Sequence, residues 1–146
     1  MEQFSSCLRK QEEIRRLFAH ATTPEATYQK IIELGRELPP YPKELKREDK
    51  IVTGCQSILY LSASLHEGGV RFLSHSEALI TSGLAYLLLF VYNDQSPEAI
   101  LKCPPQFLED LGIPNALSPN RSNGLSSLFL RMQQEALKFL IYEKIN

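Results

Sequence analysis

Ile58-Leu59-Tyr60-Leu61-Ser62-Ala63-Ser64, followed by Glu67-Gly68-Gly69 and Val70-Arg71-Phe72-Leu73, settles the architecture of this chain. The first run combines β-branched and aromatic residues with polar alternation toward its end, which predicts a strand. Glu67-Gly68-Gly69 supplies a tight turn, and Val70–Leu73 reads as the returning strand of a hairpin. Two or three antiparallel strands are therefore expected in the middle of the chain.

Helical signals lie on both sides of this hairpin. Downstream, Ser74-His75-Ser76-Glu77 matches a capping box directly before Ala78-Leu79-Ile80. The helix it predicts is apolar nearly all round from Leu84 to Val91, as befits a central helix packed on the sheet. Ser96-Pro97-Glu98 and Pro104-Pro105 each start a short helix, the second stopping at Gly112. Leu117-Ser118-Pro119-Asn120-Arg121-Ser122-Asn123-Gly124 reads as a loop. Beyond it Leu125, Leu128, Phe129, Met132, Ala136, Phe139 and Leu140 repeat at steps of three and four, one face of a last helix.

Upstream, Ile14, Leu17 and Phe18 cluster on one face of a first helix. Thr22 and Glu25 have capping-box spacing around Pro24, and Tyr28, Ile31, Ile32 and Gly35 form the buried face of the second. Pro39-Pro40-Tyr41-Pro42 then forces an extended path. Helices, a hairpin, then helices predict an α+β fold, a small antiparallel sheet packed with helices and covered on one side. With 146 residues and no repeat or linker, residues 1–146 are expected to form one domain.

Bulk properties exclude several functions. A net charge of -1 and the absence of Trp give no polyanion-attracting field and no stacking platform, so no nucleic-acid partner is expected. The longest apolar stretch, Leu84 to Tyr92, falls short of the roughly 20 residues that span a bilayer. The start, Met1-Glu2-Gln3-Phe4-Ser5-Ser6-Cys7, lacks the charged head and apolar run of a secretory signal. Three widely spaced cysteines make no disulfide framework and fit a reducing compartment, so the cytosol is the expected location.

Cys55 is the residue best placed for chemistry. It follows Gly54 and precedes Gln56 and Ser57, just ahead of the first strand. Glycine permits a sharp turn, which would set the thiol at a loop tip among backbone amides that lower its pKa. The alternative is a small buried hydrophobe at the start of a strand. Cys7, on a terminal helix, and Cys103, beside Pro104-Pro105, lack such a setting. Arg121 precedes the last helix, where a guanidinium could pair with a thiolate or persulfide, or only tie the loop down.

Other chemistries are poorly served. His20, His66 and His75 pair with no cysteine at metal-ligand spacing, so no metal site is expected. A cysteine-dependent hydrolase would need His66 or His75 as base, with no visible orienting partner. No phosphate-loop pattern occurs, and no cofactor site is expected on this chain.

Four stretches together resemble the SufE family, over about Tyr28 to Ala136. They are Ile32-Glu33-Leu34-Gly35-Arg36-Glu37-Leu38-Pro39, Val52-Thr53-Gly54-Cys55-Gln56-Ser57, Ser76-Glu77-Ala78-Leu79-Ile80 with Gly83-Leu84, and Leu117 through Leu125. The resemblance implies a fold shared with IscU-type scaffolds and makes Cys55 the acceptor of a persulfide sulfur. Arg121 would lie close to that cysteine, with Gly54, Gln56 and Ser57 shaping its loop. It further implies a SufS-type cysteine desulfurase as partner, which holds the pyridoxal phosphate and is stimulated by this chain. The onward acceptor would be a SufBCD-type scaffold in iron–sulfur cluster assembly. The chain would act as monomer or weak homodimer, a sulfur-transfer protein without independent turnover. The competing readings are the hydrolase and a non-catalytic interaction module or cluster scaffold. His75-Ser76 stands where relatives usually carry Asp-Ser.

Overall fold

A computed structural model describes residues 4–145, with side chains through residue 142. Residues 1–3, the first part of the Met1–Cys7 stretch, lie outside the described residues. Helices α1 (Ser5–Leu17) and α2 (Pro24–Gly35) lead to a hairpin of β1 (Leu59–His66) and β2 (Gly69–Ser76). Then follow α3 (Leu79–Tyr92), the short α4 (Pro97–Lys102), α5 (Gln106–Asp110) and α6 (Ile113–Ala116), and the long α7 (Pro119–Ile145). The arrangement is α+β, as the sequence predicts.

The hairpin forms where expected and extends further. Leu59 pairs with Ser76 and His66 with Gly69 in an antiparallel register, closed by Glu67 and Gly68 with φ of 50° and 83°. Left-handed backbone at both central positions gives the turn the twist of its strands. Among the described residues no third strand forms; isolated bridges, Ile51 to Tyr60 and Val70 to Gln95, flank the hairpin instead.

Alternation assigns the faces. Leu59, Leu61, Val70 and Phe72 are buried on the inner face of the sheet, and α3 packs against it. The other face is not bare. Tyr41, sent there by the proline run, stacks on Tyr60 and His75 with ring centroids 5.9 and 6.2 Å apart. Its hydroxyl bonds Ser62 Oγ at 2.5 Å and donates to the Leu45 carbonyl at 3.1 Å. The expectation of a sheet covered on one side is corrected in that region.

Helix α3 buries Leu84, Ala85, Leu87, Leu88, Leu89 and Val91, the central position its composition requires. It crosses α2 at Gly35 and Gly83. A Cβ on Gly35 would lie 2.5 Å from the Gly83 nitrogen, and one on Gly83 would overlap the Ile31 carbonyl oxygen. The two backbones touch because neither residue has a side chain.

Three caps differ from the sequence reading. Thr23, not Thr22, caps α2, accepting from the Ala26 amide at 3.1 Å with Pro24 in the first turn. Ser74 and His75 belong to β2, and Ser74 Oγ donates to the Tyr60 carbonyl, so the capping box there is not used. Strand pairing to Tyr60 and Leu59 outcompetes an isolated cap. The predicted loop 117–124 is largely the start of α7, beginning at Pro119. On α1, Ile14 and Phe18 are buried but Leu17 is exposed, because Gln11 and Cys7 complete the inner face.

Candidate functional site

The backbone entering the hairpin forms an arch. The Ile51–Tyr60 bridge and a 2.8 Å bond from the Val52 amide to the Leu59 carbonyl close its base, and Cys55 sits at its crown. Gly54 turns the crown with φ of 93°, a conformation costly for other residues. A Cβ there would also collide with Ser127 Oγ on α7. Glycine thus serves twice, for the turn and for the approach to the helix.

The arch points the thiol inward. Cys55 is half-buried, and its Sγ donates to the Gly124 carbonyl oxygen at 3.6 Å. Gly124 comes close to the sulfur without leaving a gap: a Cβ on it would meet Sγ at 3.7 Å, ordinary contact. Arg121 lies in the first turn of α7, where Ser118 Oγ accepts from its amide at 3.4 Å. Its Nη1 donates to Thr81 Oγ1 on α3 at 3.2 Å. Among the described residues Arg121 has no carboxylate at ion-pair distance.

These groups enclose a cavity of about 20 Å³. Leu59, Leu84, Leu125 and Leu128 give it apolar walls; Cys55, Gln56, Ser57, Thr81 and Arg121 give it its polar side. That volume holds about one water-sized atom. The structure therefore brings Cys55, Gln56, Ser57 and Arg121 together, with Gly54 on the outer side of the arch beside Ser127 and Arg131.

The electrostatics run against one expectation. Burial pushes the Cys55 thiol up from its ordinary value. The group facing Sγ is a carbonyl acceptor, which favours the protonated thiol over the thiolate. The turn does not present amides to the sulfur in this conformation, so the resting thiol is shielded rather than activated.

Residues named for rival chemistry lie elsewhere. His75 Nε2 is 3.2 Å from Glu77, and His66 Nε2 is 3.1 Å from Glu67; neither lines the cavity. Cys7 and Cys103 are buried in the core, where Gln11 Nε2 reaches both sulfurs at 3.7 Å and donates to the Pro104 carbonyl at 3.0 Å. Among the described residues no three His, Cys, Asp or Glu side chains gather as metal ligands, and no helix is long and apolar enough to cross a membrane.

Sequence reasoning missed Thr81, Ser127, Arg131 and the Gly124 carbonyl. Arg131 and Glu135 had a visible signal, opposite charges four residues apart on a helix. Thr81 and Ser127 had none, since their roles arise only where α3 and α7 meet the arch.

Known proteins resemble this chain over most of its length. The family model described as "SufE: Fe-S metabolism associated domain" matches residues 12–136. A SufE-like protein of Synechocystis is 34% identical over 122 residues, covering 84% of this chain and 77% of that protein. SufE-like protein 1, chloroplastic/mitochondrial, of Arabidopsis thaliana is 33% identical over 129 residues, 88% of this chain but 35% of that longer protein. A solution structure of a hypothetical protein from Thermus thermophilus superposes with a TM-score of 0.74 at 30% identity, covering 90% of this chain and 96% of the other.

Proposed function

The chain belongs to the SufE family, whose role lies in sulfur transfer for iron–sulfur metabolism, and from that premise we propose that Cys55 is its sulfur-accepting residue. The observation that carries the reading is the one-atom cavity beside Cys55 Sγ, walled by leucines and edged by Arg121. A sulfur added to Sγ fits this partly enclosed space, next to a guanidinium that, among the described residues, no carboxylate neutralises.

The donor in this reading is a cysteine desulfurase of the SufS type carrying a persulfide on its own cysteine. Cys55 thiolate attacks the outer, protonated sulfur of that persulfide. A bond forms between Cys55 Sγ and that sulfur, the donor's sulfur–sulfur bond breaks, and the donor cysteine leaves as thiolate. The outer sulfur keeps its proton and its oxidation state, so no oxidant, reductant or cofactor on this chain takes part. The new persulfide is more acidic than a thiol, and its anion is stabilised by Arg121. Delivery to a SufBCD-type scaffold completes the path, in a reducing compartment such as the cytosol that keeps the three cysteines free.

A hydrolase reading finds no histidine at the cavity, and a cluster-scaffold reading finds Cys7 and Cys103 in the core. The test is the initial rate of alanine formation from cysteine by a SufS-type desulfurase. The wild-type chain accelerates it and a folded Cys55→Ser chain does not. Equal acceleration by both removes Cys55 from the mechanism.

A further inference from the structure

Arg131 projects from α7 toward the entry side of the arch. Its Nη1 donates to the Ile51 carbonyl at 2.9 Å and its Nη2 to the Asp49 carbonyl at 2.7 Å. Its Nε donates to Glu135 Oε2 at 3.0 Å, so the guanidinium is held from behind while its two forward nitrogens grip the backbone. Both side chains are largely covered, Arg131 at 20% and Glu135 at 17% exposure, and Lys138 Nζ adds a second cation 3.3 Å from the same carboxylate oxygen. A largely covered, fixed fork of this kind holds its partners more firmly than a surface ion pair.

What it grips matters. Ile51 is the residue of the bridge to Tyr60, and four residues beyond it stands Cys55. The thiol's own bond to α7 is long, 3.6 Å, and sulfur is a weak donor. The strong ties between α7 and this part of the chain are therefore those of Arg131. The same helix carries Arg121 and the Gly124 carbonyl, so fixing residues 49–51 to α7 also fixes the height of the arch above the cavity.

We infer that Arg131 is a positioning residue for Cys55, clamping the entry of the arch to α7 and so keeping the thiol seated at its cavity. The inference rests on the reading of Cys55 as the working residue, but its test does not use sulfur transfer. Release of the clamp lets the arch lift more often, exposes the thiol and returns its ionisation toward that of free cysteine.

The experiment measures alkylation of Cys55 by iodoacetamide in the free full-length chain from neutral to alkaline pH, read on the Cys55 peptide by mass. Arg131→Gln alkylates about tenfold faster than wild type, the equivalent of one lost charge-assisted hydrogen bond, and its pH midpoint moves down. Arg131→Lys keeps the charge and stem but not the fork, and falls between. Arg71→Ala, which removes the 3.0 Å ion pair to Asp94 elsewhere on the hairpin, keeps the wild-type profile. The inference is overturned if both Arg131 variants keep the wild-type rate and midpoint, or if Arg71→Ala accelerates alkylation as much. Should Arg131→Gln fail to fold, Arg131→Lys decides alone. A wild-type chain that accepts no sulfur would defeat the proposed function and leave these profiles as they are.

Discussion

Cys55 Sγ rests 3.6 Å from the carbonyl oxygen of Gly124, on the same helix that carries Arg121 one turn earlier. The thiol thus donates to the helix while the guanidinium, bonded to Thr81, waits at the side of the cavity. This is a resting arrangement: the proton stays on sulfur because the nearest partner is an acceptor and the site is partly desolvated.

The first prediction concerns reactivity against pH. Burial raises the Cys55 thiol above its ordinary value, so at neutral pH the thiolate fraction is smaller than in free cysteine. Alkylation of the wild-type chain keeps rising beyond the ordinary thiol midpoint near pH ~8.5. In urea the midpoint returns to the ordinary value. A folded-state midpoint below that of free cysteine contradicts the shielded geometry.

Arg121→Ala separates chemistry from stability. Its guanidinium makes one hydrogen bond, to the Thr81 hydroxyl at 3.2 Å, so the unfolding free energy should change by no more than about 2 kcal/mol. Loss of a charge-assisted contact to the persulfide should slow transfer to Cys55 about tenfold. Arg121→Lys keeps the charge but not the fork and recovers part of the rate. Single-turnover transfer and urea unfolding on the same preparations test both halves.

Much of this architecture is legible in the sequence, for physical reasons. The hairpin is legible because period-two alternation and an Glu-Gly-Gly turn agree, and α3 because a run of leucines can only be buried. The start of α7 is not: Ser-Pro-Asn-Arg-Ser-Asn-Gly has the composition of a loop. Yet Ser118 caps it, Pro119 suits a first turn, and packing of Leu125 and Leu128 carries the helix back through Gly124. The capping box at Ser74 misleads because the hydrogen bonds it offers are worth less than two more strand pairs.

The site divides in the same way. Cys55, Gly54 and Arg121 stand out by residue type and local context. Thr81, Ser127 and Arg131 acquire their roles from α3 and α7 meeting the arch, contacts between residues up to 82 apart that no local pattern encodes. Of the two readings open for Cys55, burial prevails over activation by amides, because a glycine turn can aim amides at a sulfur or, as here, aim the sulfur at a carbonyl.

Gly83→Ala tests the helix crossing. In an exposed helix interior this change stabilises by roughly 1 kcal/mol. Here the new methyl meets the Ile31 carbonyl and the Ile31 Cγ2, 2.5 Å away, and backbone cannot yield as a side-chain tip would. Overpacking should reverse the sign and cost about 2–3 kcal/mol, seen as a lower urea midpoint. A stabilised Gly83→Ala variant would show that α2 and α3 lie further apart.

Alkaline stability reports on the core. Burial and the neighbouring Cys103 push the Cys7 thiol up to about 12. A thiol of higher pKa folded than unfolded binds more protons in the folded state above pH ~9, so stability is full below that pH and falls as pH rises toward the folded value. The loss approaches roughly 1.4 kcal/mol per pH unit for one group. In Cys7→Ala the decline over this window should be shallower, as measured by urea unfolding at a series of alkaline pH values. An identical slope would mean that Cys7 ionises as easily folded as unfolded.

The central claim is that Cys55 takes up one sulfur atom. The direct measurement incubates the chain with a cysteine desulfurase and cysteine, then records intact mass and maps peptides without reductant. The account predicts a gain of one sulfur atom, confined to the Cys55 peptide and absent from those of Cys7 and Cys103. No gain with an active, cognate desulfurase, or a gain on another cysteine, contradicts it.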